Sequence, residues 1–276
     1  MARLTDIYIY PIKSTQGIAL SHTWVEGPGL SFDRRFMLAD SKGRMLTGRA
    51  LPKLVQVSAL LRRDGLMVCH PDMPALYIRY ADCAMVPVST HVWKDQFDGF
   101  ATTEAANRWF SILLGRECQL LYCGEHTPRF SEKAGVDVSF ADGFPLLLIS
   151  QASLQELNRR SPIVHQMAQF RPNLVVEDTL PFAEDGWQKI RIGEVEFKVD
   201  SPCSRCVFTT RDPRTGEFLA DQEPLKTLGT FRKDESGKIN FGMNLIPLNE
   251  GRLDLTMPVE ILADREAEIY QQRVSA

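Results

Sequence analysis

KIRIGEVEFKVDSPCSRC, residues 189–206, decides how this chain is read. Its first part is a hairpin pattern turning at Gly193-Glu194, with β-branched and aromatic residues set between charged ones. It then runs through Ser201-Pro202 into two cysteines, Cys203 and Cys206, with Arg205 between them. The VFTT that follows, again β-branched and aromatic, reads as a further strand carrying the chain away.

The same grammar recurs outward from this stretch. LTDIYIYPI (4–12) is a strand closed by Pro11, and RRFMLAD and GRMLTG read as two short strands about a Ser41-Lys42-Gly43 turn. LVQVSALLRR and GLMVCH form another hairpin at Asp64-Gly65. PLLLIS (145–150) reads as a buried strand, and FRPNLVVE, INFGMNLIPL and LTMPVEIL supply later ones. Helices are few. TTEAANRWFSILLG places Ala106, Trp109, Phe110, Leu113 and Leu114 at helical spacing, with a threonine to cap it and Gly115 to end it. ASLQELNRR is the second, capped by Ser150. GEHTPRFSEKAGVDVSFADG (124–143) is polar and turn-rich, a domain junction or a site-forming loop. The expected class is α+β, predominantly β, built around a β-barrel, with an N-terminal β-rich unit over 1–122 and a C-terminal unit over 123–265.

Composition narrows the function. The chain has 276 residues, 44% hydrophobic and 24% charged, as in a globular protein with a sizeable core. Its 32 basic and 35 acidic residues leave a net charge of −3, which argues against nucleic acid as a partner. MARLTDIYIYPIKS has no long apolar run, so neither a signal peptide nor a membrane anchor is expected there. Scattered cysteines fit reduced thiols in a cytoplasm.

The C-x-x-C pair has several chemical readings. A zinc site needs further ligands, and Cys118 and Cys123 lie at unsuitable spacing while the histidines show no finger-like pattern. A redox dithiol ordinarily opens a helix, for which VFTT has no pattern. Two buried structural cysteines remain the plain alternative. A thiolate at a strand end beside Arg205 is also a good soft-metal ligand.

YPIKS (10–14), FDRRFML, FRPN, SPCSRCVFTT, EPLKTL and FGMN, in this order, resemble the MOSC domain and its N-terminal partner. More closely, they resemble the mitochondrial amidoxime-reducing component and its bacterial relatives. The resemblance covers nearly the whole chain. It implies a molybdopterin-type molybdenum cofactor, with Cys206 as the metal ligand and catalytic centre and Cys203 as a structural neighbour. Lys13, Ser14, Arg34 (rather than Arg35), Gly143, Phe144, Arg171, Asn173, Ser204 and Arg205 are the implied cofactor contacts. Asn244 is another, standing where mitochondrial relatives carry a tyrosine. A guanidinium clamps phosphate well, and an amide can read a pterin edge.

The implied reaction is reduction of N-hydroxylated compounds. No cysteine follows Cys206, so no iron–sulfur cluster is expected in this chain, and electrons would come from a separate ferredoxin-like or flavin reductase partner. The competing reading is a carrier of the cofactor, or of sulfur, on Cys206. Other residues have plainer expectations. Asp33 and Asp212 are expected in turns and caps, and Trp24, Trp93, Trp109 and Trp187 in core or rim packing. His126 lies in the 124–143 loop.

Overall fold

Strand Leu146–Ser150 is buried along its whole length, and its first four residues are apolar, because both of its faces are covered. Leu146 and Leu148 point into a core shared with Ile7, Ile9, Leu174, Phe197 and Leu245. Leu147 and Ile149 point the other way, into a core closed by Leu154 and Leu157 of helix Gln151–Arg160 and by Phe170, Phe231 and Phe241. The computed structural model in which this is seen describes residues 1–125, 127 and 129–270. His126 lies outside the described residues.

The strand sits near the middle of an eight-stranded sheet. In spatial order its members are Ile18–Leu20, Arg3–Ile9, Leu174–Glu177, Leu146–Ser150, Asn240–Pro247, Val195–Ser204, Trp187–Ile192 and Val259–Asp264. Leu146–Ser150 and Leu174–Glu177 run parallel, and a parallel pair needs a crossover, here carrying helix Gln151–Arg160. Ser150 caps that helix by accepting the Ser153 N–H. The other neighbours in the sheet are antiparallel.

A second layer system lies beside it. Phe36–Ala39, Gln119–Tyr122, Asp95–Ala101 and Pro87–Val92 form a four-stranded sheet, and Ser58–Arg62, Gly65–His70 and Met73–Arg79 a three-stranded one. Helix Glu104–Leu114 buries Ala106, Trp109, Phe110 and Leu113 against them, capped by Thr103 and ended by Gly115 in the left-handed region. The described residues hold three α-helices, so the fold is predominantly β. No helix among them is long and apolar enough to cross a membrane.

Two sequence expectations change. VFTT is not a strand but a 3-10 turn, Val207–Thr210. Thr209 and Thr210 donate their hydroxyls to the carbonyls of Cys206 and Val207, a local bonding pattern that outcompetes strand pairing. GRMLTG makes only single bridges, Arg44 to His91 and Met45 to Ala39, because the Asp40 side chain gathers the amides of Lys42 and Arg44 into a turn.

The FGMN segment holds a constraint invisible in its composition. Gly242 has φ 80° within strand Asn240–Pro247, where the pairing with Val195–Ser204 slips out of register. An added Cβ would lie 2.5 Å from Ile149 Cγ1 and 2.8 Å from the Leu148 carbonyl oxygen. Gly242→Ala is expected to destabilise the fold by roughly 2–4 kcal/mol from left-handed strain and overpacking together, read as a lower urea midpoint at unchanged m-value.

Candidate active site

The strand ends and loops of both layer systems converge on a cavity of about 720 Å³, within the range of small-ligand sites. Lys13, Ser14, Arg34, Gly143, Phe144, Arg171, Asn173, Ser204, Arg205, Cys206 and Asn244 all line it, so every site residue expected from sequence is brought to one place. Arg35 points elsewhere, pairing with Glu26 and the carbonyls of Gly124 and Glu125.

Cys206 lies just past the end of strand Val195–Ser204, where the chain leaves the sheet and enters the 3-10 turn. It is exposed, and its Sγ accepts from Arg49 Nε at 3.3 Å. Arg49 Nη2 reaches Asp142 Oδ2 at 3.0 Å, and Lys13 Nζ reaches Asp142 Oδ1 at 2.5 Å. One carboxylate thus bridges two cations. Burial would raise the Asp142 carboxyl, but Lys13 and Arg49 outweigh it and hold the group well below the usual carboxylate range. Burial in turn lowers the Lys13 ammonium, and Asp142 opposes that shift.

The loop carrying Asp142 is shaped by Arg129, a fully buried side chain. Its guanidinium donates to the carbonyls of Ser139, Ala141 and Asp142 and to the Asp95 carboxylate. Five donors in a fixed fork can hold several carbonyls at once.

On the opposite side, Tyr10 carries Arg34 and Arg171 over its ring, at 4.2 and 4.0 Å from the centroid. Burial pushes the Tyr10 phenol up to about 12 against the pull of both guanidiniums, and burial lowers Arg171 to about 10. Arg34 donates to Asp33, Asn173 and the Arg171 carbonyl. Asn173 Oδ1 accepts from Arg34 and from the Leu147 amide, while Nδ2 donates to the Tyr8 carbonyl. At most one Asn173 N–H is left for a ligand, so its amide chiefly ties the cavity wall together.

Arg205 donates to Cys203 Sγ and to the Phe170 carbonyl, and its buried Nε has no partner among the described residues. Cys203 is partly buried and packs against the aromatic core, as a structural thiol would. Asn244 contacts Ser201 and the Pro202 carbonyl.

Backbone strain gathers here as well. Ser14, Arg34, Trp93 and Arg171 are non-glycine residues with φ between 48° and 71°, and all four line the cavity. Seven basic side chains line it (Lys13, Arg34, Arg49, Lys94, Lys133, Arg171, Arg205) against three acidic ones (Asp95, Glu132, Asp142). A chain of net charge −3 therefore concentrates positive charge around an exposed thiol, an arrangement suited to a polyanion that also presents a soft metal.

Sequence reading missed Arg49, Asp142, Trp93 and Arg129. Asp142 lies within the ADGFP loop that drew notice for Gly143 and Phe144, so the location was legible and the residue was not. Asp212 holds a turn as expected, accepting the amides of Arg214 and Thr215, whereas the Asp33 side chain makes a longer-range tie, accepting the Tyr10 amide and Arg34. Trp109 and Trp187 are buried, whereas Trp24 and Trp93 are about half exposed.

Residues 1–117 match the MOSC N-terminal beta barrel domain, and residues 135–260 match the MOSC domain. Mitochondrial amidoxime-reducing component 1 of Mus musculus is 31% identical over 94% of this chain and 82% of its own length. Mitochondrial amidoxime reducing component 2 of Homo sapiens is 32% identical over 83% of this chain and 72% of its own. A molybdenum cofactor sulfurase of Oryza sativa subsp. japonica is 30% identical over 98% of this chain, which spans 35% of that longer protein. The chain belongs to the MOSC-domain family, with the N-terminal MOSC β-barrel domain preceding the MOSC domain.

The Asp142 bridge sets a pH and stability signature. A carboxyl held below its ordinary value of about 3.9 stabilises the fold at neutral pH and loses that contribution as pH falls below about 4. Asp142→Asn leaves buried Lys13 without its counter-ion and is expected to cost about 1–2 kcal/mol at pH 7, less than a fully buried pair because Asp142 is half exposed. Urea titrations at pH 7 and near pH 3 should show the difference between Asp142→Asn and the unsubstituted chain shrinking at the lower pH.

Proposed function

We propose that this chain holds a molybdenum–pterin cofactor, with Cys206 as a ligand to the metal, and reduces N-hydroxylated compounds with electrons from a separate donor protein. The observation that carries this reading is an exposed thiol in a cavity lined by seven basic and three acidic side chains. The residues present fit such a group. Arg205 Nε is a buried donor without a partner among the described residues, and Cys206 is a soft sulfur donor that Arg49 contacts from one side. Lys13, Ser14, Arg34, Arg171 and Arg205 would hold its anionic pterin phosphate, Ser14 offering a hydroxyl and the others charge-assisted donors. Gly143, Phe144, Ser204 and Asn244 would complete the wall.

When bound, the group supplies a centre that passes electrons in pairs. Overall, two electrons and two protons convert a substrate N–OH into N–H and water. The chain's own part is to fix the cofactor, keep Arg49 against Cys206 through Asp142, and leave the mouth open to a small substrate. The names of the amidoxime-reducing relatives support the substrate class.

A second reading, a carrier of the cofactor or of sulfur on Cys206, draws on the exposure of that thiol and on the sulfurase relative. Metal analysis separates the two. Protein made in a host that synthesises molybdopterin should contain molybdenum at about one per chain, lost in Cys206→Ser and kept in Cys203→Ser. The same preparation should reduce an amidoxime when given a reducing partner, but not with NADH alone. Metal-free protein bearing a labile sulfur on Cys206 would favour the carrier.

A further inference from the structure

Two segments far apart in the chain meet beside Cys206. Residues 48–56 belong to the part matching the N-terminal domain, and residues 206–216 to the MOSC domain. They approach closely. A Cβ on Gly48 would lie 2.6 Å from the Phe208 ring, and one on Gly216 would lie 2.5 Å from the Pro52 carbonyl oxygen. Gln56 Nε2 donates to the Thr215 carbonyl at 3.0 Å. Between these contacts, Arg211 Nη2 donates to the Arg49 carbonyl at 2.8 Å.

The last of these bonds closes a ring. Cys206 opens the 3-10 turn Val207–Thr210 and Arg211 ends it. Arg211 holds the Arg49 backbone, and the Arg49 side chain returns to Cys206, its Nε 3.3 Å from Sγ. Arg211 is itself fixed. It is only 7% exposed, donates Nη1 to the Gly216 carbonyl, and has its Cζ 3.8 Å from the centre of the Phe218 ring. Burial lowers its pKa, and no described carboxylate opposes that shift. Its Nε has no partner among the described residues. A buried guanidinium without a counter-ion costs stability. What it supplies is a rigid fork that holds carbonyls of both segments at once.

We propose that Arg211 is a positioning residue for the centre that Cys206 binds: it holds the Arg49 backbone so that the Arg49 N–H stays on the cysteine sulfur, and that hydrogen bond favours the reduced centre. The proposal rests on the cofactor reading above. A donor on a ligating sulfur draws electron density from it and raises the reduction potential. Asp142 and Trp93 fix the far end of the Arg49 side chain, through Nη2 and the guanidinium face. Arg211 fixes its backbone end.

The test compares Arg211→Met, which keeps the reach and loses the donors, with Arg211→Lys, Arg49→Met and the Arg49→Met/Arg211→Met pair. The full, cofactor-loaded chain is poised at the potential where the unsubstituted centre is half reduced, and the reduced-to-oxidised ratio is followed through the Mo(V) electron paramagnetic resonance signal. Arg211→Met is expected to lower that ratio about three- to tenfold, the scale of one hydrogen bond, and Arg211→Lys to recover part of it. The double variant should match Arg49→Met alone, because Arg211 acts through Arg49. In the cofactor-free chain, the Arg49 Nε–H, identified by heteronuclear NMR from its loss in Arg49→Met, should exchange with water about three- to tenfold faster in Arg211→Met. Arg211→Gln, shorter and neutral, takes the place of the methionine variant if that one does not fold, and the same losses are expected of it. An unmoved ratio, unchanged exchange, or losses that add in the double variant would overturn the proposal, as would a lower urea midpoint with both readouts unmoved. If the unsubstituted chain takes up no molybdenum, the cofactor reading fails, and the exchange arm still decides whether Arg211 positions Arg49.

Discussion

The carboxylate of Asp142 is the point on which the site is assembled. It accepts Lys13 from the segment after the first strand and Arg49 from the segment before the three-stranded sheet, and Arg49 touches Cys206. Three cationic groups, counting Arg129 behind the loop, could not be gathered in so small a space without an anion among them. Removing that anion would leave like charges facing one another across a partly desolvated cleft. The surplus positive charge that remains suits the cavity to an anionic ligand, because part of the ligand's own charge completes the balance.

Behind this bridge, strain and stacking fix the other wall. Ser14, Arg34 and Arg171 adopt backbone conformations that side chains ordinarily avoid, and Tyr10 is the surface on which the two guanidiniums rest. Strain of this kind persists only where surrounding contacts over-determine it. Asn173 supplies several of those contacts by joining Arg34, the Leu147 amide and the Tyr8 carbonyl.

Much of this was legible in the sequence, and the exceptions have physical reasons. Period-two and continuous apolar patterns marked the strands on either side of the cysteine stretch, and Thr103, Gly115 and Ser150 marked helix ends. The family motifs marked residues far apart in the chain that the fold brings to one cavity. VFTT misled because threonine hydroxyls satisfied nearby carbonyls, a choice that β propensity does not register. Arg49, Asp142 and Arg129 escaped because a lone charged residue in a polar stretch has no local pattern. Its meaning lies in partners many residues away.

The N-terminal strand Arg3–Ile9 pairs with Leu174–Glu177, and His22–Glu26 pairs with Gly251–Asp254, so the two ends of the chain are woven into common sheets. The cavity wall accordingly draws on residues from Lys13 to Asn244. Contacts of such sequence separation are the slowest to form, since a long loop must close before they reward it. The pocket cannot exist before its last wall residue is made: during synthesis it comes into being only after Asn244 has emerged. Any ligand it accepts must enter a finished fold, and, once inside, its binding energy holds the two ends of the molecule together.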